Sequence, residues 1–184
     1  MNLQLVTSNP NKFRELSELL ECNLSRIELD LQEIQTTDLH ELVKFKLRQA
    51  YEQVQAPVIV EDTSLYFEAW NELPGPLIKF FLKNISLSGM VRALYKFNNN
   101  LASAACCLGF TKDGEIMHLF DGKLKGNIVE PRGSQHFGWD AIFLPAGYQR
   151  TFGEMSSQEK HLISPRGAAG KKFKDFLTLQ AKQK

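Results

Sequence analysis

The adjacent acids Glu61 and Asp62 follow a short apolar run and are the first candidates for chemistry in this sequence. The β-branched run over residues 58–60 comes after Pro57 and predicts a short buried strand. Side chains alternate along an extended backbone, so we expect one acid to face solvent and the other to point into a cleft. A carboxylate in such a cleft can orient and deprotonate a water molecule. Solvated acids at an ordinary strand end are the alternative that this stretch alone leaves open.

Thr7, Asn9 and Lys12 form a second candidate set, between a predicted strand over residues 3–6 and a predicted helix. Asn9 fits an N-cap, and Pro10 suits the first helical position. Unpaired amides and the helix dipole favour an anion at such a helix N-terminus, so these side chains could hold a phosphate. Plain capping, with Lys12 in solvent, explains the local sequence equally well. The chain has no GxxxxGKS or GxxxxGKT motif, which excludes the familiar P-loop.

A third set combines two aromatic residues, Phe137 and Trp139, with Gly138 between them and Asp140 beside them. Aromatic rings can stack on a planar ligand while a neighbouring polar group bonds its edge. The alternative is that both aromatics are core residues at the start of a strand. The local sequence does not decide between a ligand site and a core.

A final helix is predicted from the dipeptide Ser164-Pro165, which repeats the polar cap and proline found at the first helix. This places Arg166 in the first turn of that helix. An arginine is unfavourable there because the helix dipole carries positive charge at its N-terminus. A bound ligand or an acidic partner would explain its position.

The elements that must position these residues alternate between strands and helices. A second strand is predicted over residues 27–31, with Glu33 at its end, and Asp38 fits the cap of the next helix. Lys46 interrupts the apolar face of that helix, which either snorkelling or phosphate binding would explain. The strand-helix-strand-helix-strand opening indicates an α/β fold.

The second half of the chain predicts two helices and then an antiparallel part of the sheet. Lys79 lies near the start of the first of these helices. Its apolar residues Ile78, Phe81 and Leu82 exceed what one amphipathic face needs and indicate a dimer interface. Asp113-Gly114 is a turn signal, so the sheet would be mixed. The predicted helices span 77–85 and 90–97, and the predicted strands span 102–110, 115–120 and 123–129.

Composition limits the class of protein. A chain of 184 residues that is 43% hydrophobic can form one domain, here expected to have two lobes. A net charge of +1 argues against a surface that binds nucleic acid. The sequence has no apolar run of membrane-spanning length and no signal-peptide pattern, which predicts a cytoplasmic protein without membrane attachment. Its three cysteines have no metal-ligand spacing and are predicted to be reduced and structural.

Taken together, the motifs resemble those of the Ham1 family of inosine triphosphate pyrophosphatases. They are T-x-N-x-x-K near the N-terminus, VEDTSLYFEA followed by LPGPLIKFFL in the middle, and FGWDAIFLPAGY with T-x-GEM, Lys160 and S-x-R near the end. Each motif alone is weak, but three separated motifs in the right order make the resemblance specific. It extends over residues 3–176.

The resemblance implies Mg²⁺-dependent hydrolysis of ITP, dITP and XTP to the monophosphate and pyrophosphate. It also implies a long mixed sheet flanked by helices, an active site in the cleft between two lobes of a single domain over residues 1–184, and a homodimer. The implied roles are triphosphate contacts by Thr7, Asn9, Lys12 and Lys46, further substrate contacts by Thr63, Lys79 and Lys160, metal binding by Glu33 and Asp62, base contacts by Phe137, Gly138, Trp139 and Asp140, and contacts at the other edge of the base by Ser164 and Arg166.

Physical chemistry adds a mechanism to these roles. Asp62 would orient and deprotonate the attacking water. Arg166 would donate to O6 of hypoxanthine or xanthine, whereas the 6-amino group of adenine would face it donor to donor. The family's S-H-R element reads Ser164-Pro165-Arg166 here, so a ring without a donor replaces an imidazole. This departure puts base preference in question.

Two other classes of function stay open at the level of sequence. One is a nucleotide-binding or sensing protein of the same fold that has lost turnover or altered its base specificity, for which Pro165 is the hint. The other is an interaction module that uses the apolar helix over residues 77–85. The paired acids and the lysines around them favour the enzyme over a simple binder.

Overall fold

In the computed structural model, residues 2–134 and 138–182 are described, and they form a mixed sheet with helices on both faces. The predicted α/β class is therefore confirmed. The strands within the described residues are β1 (Leu3–Val6), β2 (Leu24–Ile27), β3 (Val58–Phe67), β4 (Leu73–Gly75), β5 (Leu101–Thr111), β6 (Met117–Ile128) and β7 (Phe143–Pro145). The helices are α1 (Pro10–Leu20), α2 (Leu39–Val54), α3 (Ile78–Ile85), α4 (Leu87–Tyr95), α5 (Ser157–Ile163) and α6 (Pro165–Lys182).

The sheet has the strand order β2-β1-β3-β5-β6-β7, with β4 paired to part of β3. β1 is parallel to both β2 and β3, while β5, β6 and β7 continue the sheet with antiparallel pairs. β3 therefore lies inside the sheet and carries Glu61 and Asp62 near its middle. At these two residues β3 is paired on one side only, with Leu108 and Cys107 of β5. Its other edge is open there, because β1 pairs with β3 only as far as Ile59 and β4 only from Leu65 onward.

The two faces of the sheet are covered by different helices. Ile59, Cys106 and Leu108 pack in one buried cluster with residues of α1 and α6. Val58, Val60 and Cys107 pack in a second cluster with residues of α2. Alternation along β3 therefore directs Glu61 toward α1 and α6, and Asp62 toward α2.

A third buried cluster fills the other end of the long strands, under α3 and α4. Ile78 is buried there, and Phe81 and Leu82 are partly buried against it, so these three residues serve the protein's own core. Phe80 and Ile85 of α3 are instead exposed. Phe80 and Ile85 therefore form the exposed apolar surface of α3, and the three residues that suggested a dimer interface do not.

The predicted ends of several elements are wrong. β2 runs from Leu24 to Ile27 and not over residues 27–31, because it pairs with the four residues of β1. Residues 117–128 form one strand where two were predicted, because β5 pairs with β6 along its full length. Gly122 in the middle of β6 is needed for packing, since a Cβ there would lie 1.9 Å from the carbonyl oxygen of Pro165. The α3 helix starts at Ile78, after β4 has paired residues 73–75 with β3.

The prediction that all three cysteines are structural is wrong for Cys22, which does not pack in the core. Cys22 is exposed, Cys106 and Cys107 are buried, and all three are free thiols. Among residues 2–134 and 138–182, no helix combines the length and the apolar character needed to cross a membrane.

Candidate active site

A cleft of about 980 Å³ opens beside the ends of β1 and the middle of β3. The β1–α1 turn, α2 and α3 form its other walls. The residues predicted for the site that line this cleft are Thr7, Asn9, Lys12, Glu33, Lys46, Asp62, Thr63, Lys79, Gly138 and Trp139. The structure thus brings into one cavity side chains that lie far apart in the sequence.

The β1–α1 turn has the predicted cap. Asn9 Oδ1 accepts hydrogen bonds from the backbone N of Asn11 and Lys12, at 2.9 and 3.3 Å. Thr7 Oγ1 accepts from the backbone N of Asn9 at 3.1 Å. Capping by Asn9 is therefore confirmed, and it fixes the direction in which Lys12 leaves the helix.

The side chain of Lys12 does not extend into solvent. This excludes the alternative in which the turn serves only as a helix cap and leaves Lys12 solvated. Its Nζ lies 3.1 Å from Glu61 Oε2 and 3.6 Å from Asp62 Oδ1, and it donates to the backbone oxygen of Glu61 at 3.3 Å. The lysine therefore bridges the two acids at the edge of the cleft. Burial lowers the pKa of Lys12, but Asp62 and then Glu61 outweigh it and raise the pKa above its ordinary value.

Neither acid faces bulk solvent, so the expectation that one of them would is wrong. Glu61 is 5% exposed, because α6 covers its face of the sheet. Its Oε1 accepts from Nε and Nη2 of Arg166 at 3.2 and 3.1 Å, and from the Cys106 thiol at 3.1 Å. Both acids line the cleft, but Glu61 is a buried anchor with a side chain 1% exposed, whereas the side chain of Asp62 is 15% exposed.

The cleft keeps Asp62 ionised. Burial opposes the charge, but Lys12 and then Lys46 outweigh it and hold the pKa of Asp62 at about 2. Lys46 Nζ donates to Asp62 Oδ2 at 2.7 Å, and the backbone N of Thr63 donates to Asp62 Oδ1 at 2.9 Å. Asp62 is thus a carboxylate at neutral pH, with both oxygens oriented.

Glu33 completes a cluster of oxygens around Lys46. The Lys46 ammonium lies 3.2 Å from Glu33 Oε1, and the Lys79 ammonium of α3 lies 3.3 Å from Glu33 Oε2. Glu33 and Asp62 therefore converge on one cationic group in the cleft. Carboxylate oxygens grouped in this way are ligands that Mg²⁺ and other hard divalent cations prefer.

A buried ionic network lies behind the cleft. Lys160 Nζ donates to Asp140 Oδ2 at 2.6 Å and to Glu15 Oε1 at 3.0 Å. Arg166 pairs with Glu15 as well as with Glu61. These carboxylates are the acidic partners that the position of Arg166 predicted. All five residues are at most 6% exposed.

The carboxylates of this network have pKa shifts of opposite sign, lowered for Glu15 and Glu61 and raised for Asp140. Burial opposes ionisation of Glu15, but Arg166 and Lys160 outweigh it and lower the pKa. Glu61 likewise has a lowered pKa, because Arg166 and Lys12 outweigh its burial. Burial raises the pKa of Asp140 despite its contact with Lys160. The network therefore holds Glu15 and Glu61 as fixed negative charges.

A small cavity of about 20 Å³ adjoins the cleft, and four further residues predicted for the site line it. Its walls include Asp140, Lys160, Ser164 and Arg166. A cavity of this size holds about one water molecule. Thr63 and Trp139 line both cavities.

The position of Trp139 is compatible with both interpretations of this residue, as part of the core and as a contact for a ligand in the cleft. It is 8% exposed, and its ring packs against Phe143 and Phe152, with centroid distances of 5.6 and 6.2 Å. It also forms part of the cleft wall. The prediction for Phe137 falls outside the described residues.

Comparison with known proteins places this arrangement in a family. The profile of the Ham1 family matches residues 3–176. The chain belongs to the Ham1 family. The curated inosine triphosphate pyrophosphatase of Scheffersomyces stipitis is 41% identical over 189 residues, covering 95% of this chain and 97% of that protein. The inosine triphosphate pyrophosphatase of Schizosaccharomyces pombe is 40% identical over 179 residues, covering 96% and 95%.

Solved structures agree with the fold of this Ham1 protein. A HAM1 protein from Coxiella burnetii superposes with a TM-score of 0.84 at 28% identity, covering 97% of this chain and 99% of that chain. The Staphylococcus aureus Ham1 protein has a TM-score of 0.80 at 19% identity, which bears on the fold alone. The resemblance found in the sequence motifs is therefore confirmed.

Sequence reasoning missed one member of the site in this Ham1 chain. Glu15 joins Lys160 and Arg166 although it comes from the first helix. The only sequence signal was an acid next to Leu16, which lies on the apolar face of α1. Such a position does not reveal a partner about 150 residues away.

Proposed function

We propose that this Ham1 protein hydrolyses ITP, dITP and XTP to the nucleoside monophosphate and pyrophosphate, and so removes noncanonical purine nucleotides from the nucleotide pool. The observation that carries the proposal is the meeting of Asp62 and Glu33 with Lys12, Lys46 and Lys79 in one cleft. Binding an anionic triphosphate and activating a water at its α-phosphate need both kinds of group in one place. The names of the curated relatives support the same reaction.

The triphosphate is held in this proposal by the three lysines. Each of them is paired with a carboxylate in the cleft, and Lys46 contacts Glu33 as well as Asp62. Phosphate oxygens compete for these ammonium groups, because charge-assisted hydrogen bonds to phosphate are strong. Substrate binding therefore exchanges lysine–carboxylate pairs for lysine–phosphate pairs.

Glu33 and Asp62 are the residues that would hold a divalent cation, which we take to be Mg²⁺. One oxygen of each contacts the same lysine ammonium in the cleft, so the two carboxylates already converge on a positive charge, and their hard oxygens suit a divalent cation. When bound, Mg²⁺ neutralises charge on the phosphate oxygens. With a cation held by Glu33 and Asp62, Lys46 would be free to contact the phosphate oxygens.

Asp62 orients the attacking water and accepts its proton. Its low pKa depends on Lys12 and Lys46. Asp62 is therefore ionised at neutral pH, which is the form that can accept a proton from water. General-base catalysis of this kind contributes about 10²–10⁴-fold to the rate.

The base is recognised at the buried network. Glu15 and Glu61 fix the orientation of Arg166, and a guanidinium offers several donors in one plane. A donor at this position pairs with the 6-oxo group of hypoxanthine or xanthine and meets the 6-amino group of adenine unfavourably. The cavity beside Arg166 holds about one water. The base therefore enters only when Trp139 or its neighbours move.

Four further proposals concern the whole protein. We treat residues 1–184 as one domain with two lobes, which is supported by separate buried clusters at the two ends of the long strands. We propose a homodimer through the exposed apolar surface that includes Phe80, Ile85 and Tyr95.

A cytoplasmic location is supported by three free thiols, which suit a reducing compartment. The absence of a strong net charge argues against nucleic acid as a partner.

A substrate panel tests the proposed reaction. Purified protein is incubated with ITP, dITP, XTP, ATP and GTP in the presence of Mg²⁺, and release of pyrophosphate is measured. We expect pyrophosphate from ITP, dITP and XTP and little from ATP. Release of single phosphates, or binding of ITP without release of pyrophosphate, would contradict the proposed reaction.

A further inference from the structure

A cluster of three potential metal ligands lies outside the proposed active site. The donor atoms of His40, Cys107 and Asp121 all lie within 4.8 Å of one another. His40 Nε2 is 2.8 and 2.9 Å from the two carboxylate oxygens of Asp121. Among the residues that the structure describes, this is the one such group of histidine, cysteine and acidic side chains.

The fold holds each of these residues in place. Cys107 of β5 and Asp121 of β6 are directly opposite each other in the antiparallel pair, so their side chains leave the sheet on the same face. The face is the one that α2 covers, since Cys107 packs in the cluster with residues of that helix. His40 lies in the first turn of α2, where its backbone N donates to Asp38 Oδ1 at 2.8 Å. The cluster thus joins two central strands to a capped helix end.

The donor types point to a particular class of ion. One imidazole nitrogen, one sulfur and one carboxylate oxygen form a mixed set that suits zinc, whereas Mg²⁺ prefers oxygen ligands alone. The side chains of His40 and Asp121 are 50% and 45% exposed, while Cys107 is buried. An ion can therefore enter from solvent, bind the sulfur at the base of the site and keep a water as its fourth ligand.

We propose that His40, Cys107 and Asp121 bind one zinc ion, at a site separate from the carboxylates of the nucleotide cleft. Zinc–ligand distances of about 2.0–2.3 Å require the histidine and the carboxylate to part slightly. Both side chains are exposed enough for that movement. The site does not depend on the proposed hydrolysis.

Binding must displace the proton of the thiol. Burial and then the carboxylate of Asp121 raise the pKa of the Cys107 thiol, so the sulfur is protonated when no ion is bound. Zinc replaces that proton, which passes to solvent, and the sulfur binds as the thiolate. The ion also neutralises Asp121 and the thiolate together.

The position of the site links it to the cleft. Cys107 is directly opposite Asp62 in the β3–β5 pair, and His40 belongs to the same helix as Lys46. A zinc ion would fix the start of α2 to the centre of the sheet. The α2 helix, which positions Lys46 beside Asp62, would then be held both by its N-cap residue Asp38 and by the zinc ion.

Metal analysis of the full chain tests this proposal. Wild type and His40→Ala are incubated with zinc, dialysed, and assayed for zinc per chain. His40 is exposed in a first helical turn, so its replacement leaves the core intact, and circular dichroism checks this. We expect about one zinc per wild-type chain and affinity for zinc at least about 100-fold weaker in His40→Ala, since even outer-shell partners are worth 10–100-fold. Cys22→Ser, which removes an exposed thiol, is the matched control and retains the zinc.

Cobalt substitution separates this site from the cleft. Cobalt bound by Cys107 gives a thiolate-to-cobalt absorption band, which carboxylates alone cannot produce. We expect the band in wild type and in Glu33→Gln, and its loss in Cys107→Ser. Asp121→Asn provides a second test if Cys107→Ser fails to fold, with weakened zinc binding expected. Equal zinc content in wild type and His40→Ala, loss of zinc in Cys22→Ser, or no band in wild type would overturn the proposal.

Discussion

Replacement of Glu61 by glutamine tests the buried ionic network. Glu61 is 5% exposed, accepts two hydrogen bonds from Arg166 and lies 3.1 Å from the Lys12 ammonium. Glutamine keeps the shape of the side chain but removes the negative charge. Both cations then lose a buried partner, although Glu15 and Asp62 remain beside them.

The magnitude follows from the cost of breaking a buried ion pair. Removing one partner costs about 3–5 kcal/mol of the free energy of unfolding. Because each cation keeps a second carboxylate, we expect the lower end, about 3 kcal/mol. Domains unfold with only about 5–15 kcal/mol in total, so the loss is large. With a urea m-value of about 2–3 kcal/mol/M, the midpoint of denaturation falls by about 1–1.5 M.

Urea denaturation followed by circular dichroism measures this change. Glu21→Gln is the matched control, because Glu21 also pairs with a lysine, Lys174, but its side chain is 73% exposed. An exposed pair of this kind contributes little to stability, so we expect no measurable change in the midpoint. A Glu61→Gln midpoint equal to those of wild type and Glu21→Gln would refute the account of the network.

Three further predictions concern pH, the phosphate site and the base. Burial opposes ionisation of Glu15 and Glu61, but Arg166 outweighs it and lowers both pKa values from 4.5. The stabilisation that these carboxylates contribute is therefore present above pH 4.5 and is lost as the pH falls through the lowered pKa values. Between pH 7 and pH 3, the urea midpoint should fall less steeply in Glu61→Gln than in wild type. Lys79→Ala should lower kcat/KM for ITP by about tenfold or more, mainly through a higher KM. The control Lys44→Ala, which replaces an exposed lysine outside the cleft, should leave kcat/KM unchanged. Equal losses of kcat/KM in the two variants would exclude a phosphate-binding role for Lys79. Pro165→His adds a donor beside the small cavity, and should raise the preference for ITP over ATP by about 2–10-fold in the pyrophosphate assay; an unchanged preference would separate this position from base selection.

Local chemistry made much of the fold predictable. Asn9 and Asp38 each cap the helix that the sequence assigned to them, because a cap depends on residues only two or three positions away. The same holds for the strand at residues 3–6 and for the start of α6 at Pro165. The acid pair at positions 61 and 62 was also recognisable from the sequence as a candidate for chemistry.

Long-range pairing set the features that the sequence could not predict. The end of β2 at Ile27 follows from the length of β1, and the unbroken β6 follows from its pairing with β5. Glu15 meets Arg166 across 151 positions in the chain, and His40 meets Asp121 across 81. Such contacts depend on the order of strands in the sheet, which hydrophobic periodicity does not encode.

The central claim is that Asp62 activates water in a cleft where lysines hold the triphosphate. Asp62→Asn keeps the size of the side chain and the phosphate-binding lysines but removes the base and a metal ligand. The most direct test measures pyrophosphate release from ITP and, by calorimetry, binding of a nonhydrolysable ITP analogue by the same variant. We predict that turnover is abolished while analogue binding remains measurable. Near-normal turnover in Asp62→Asn would contradict the claim.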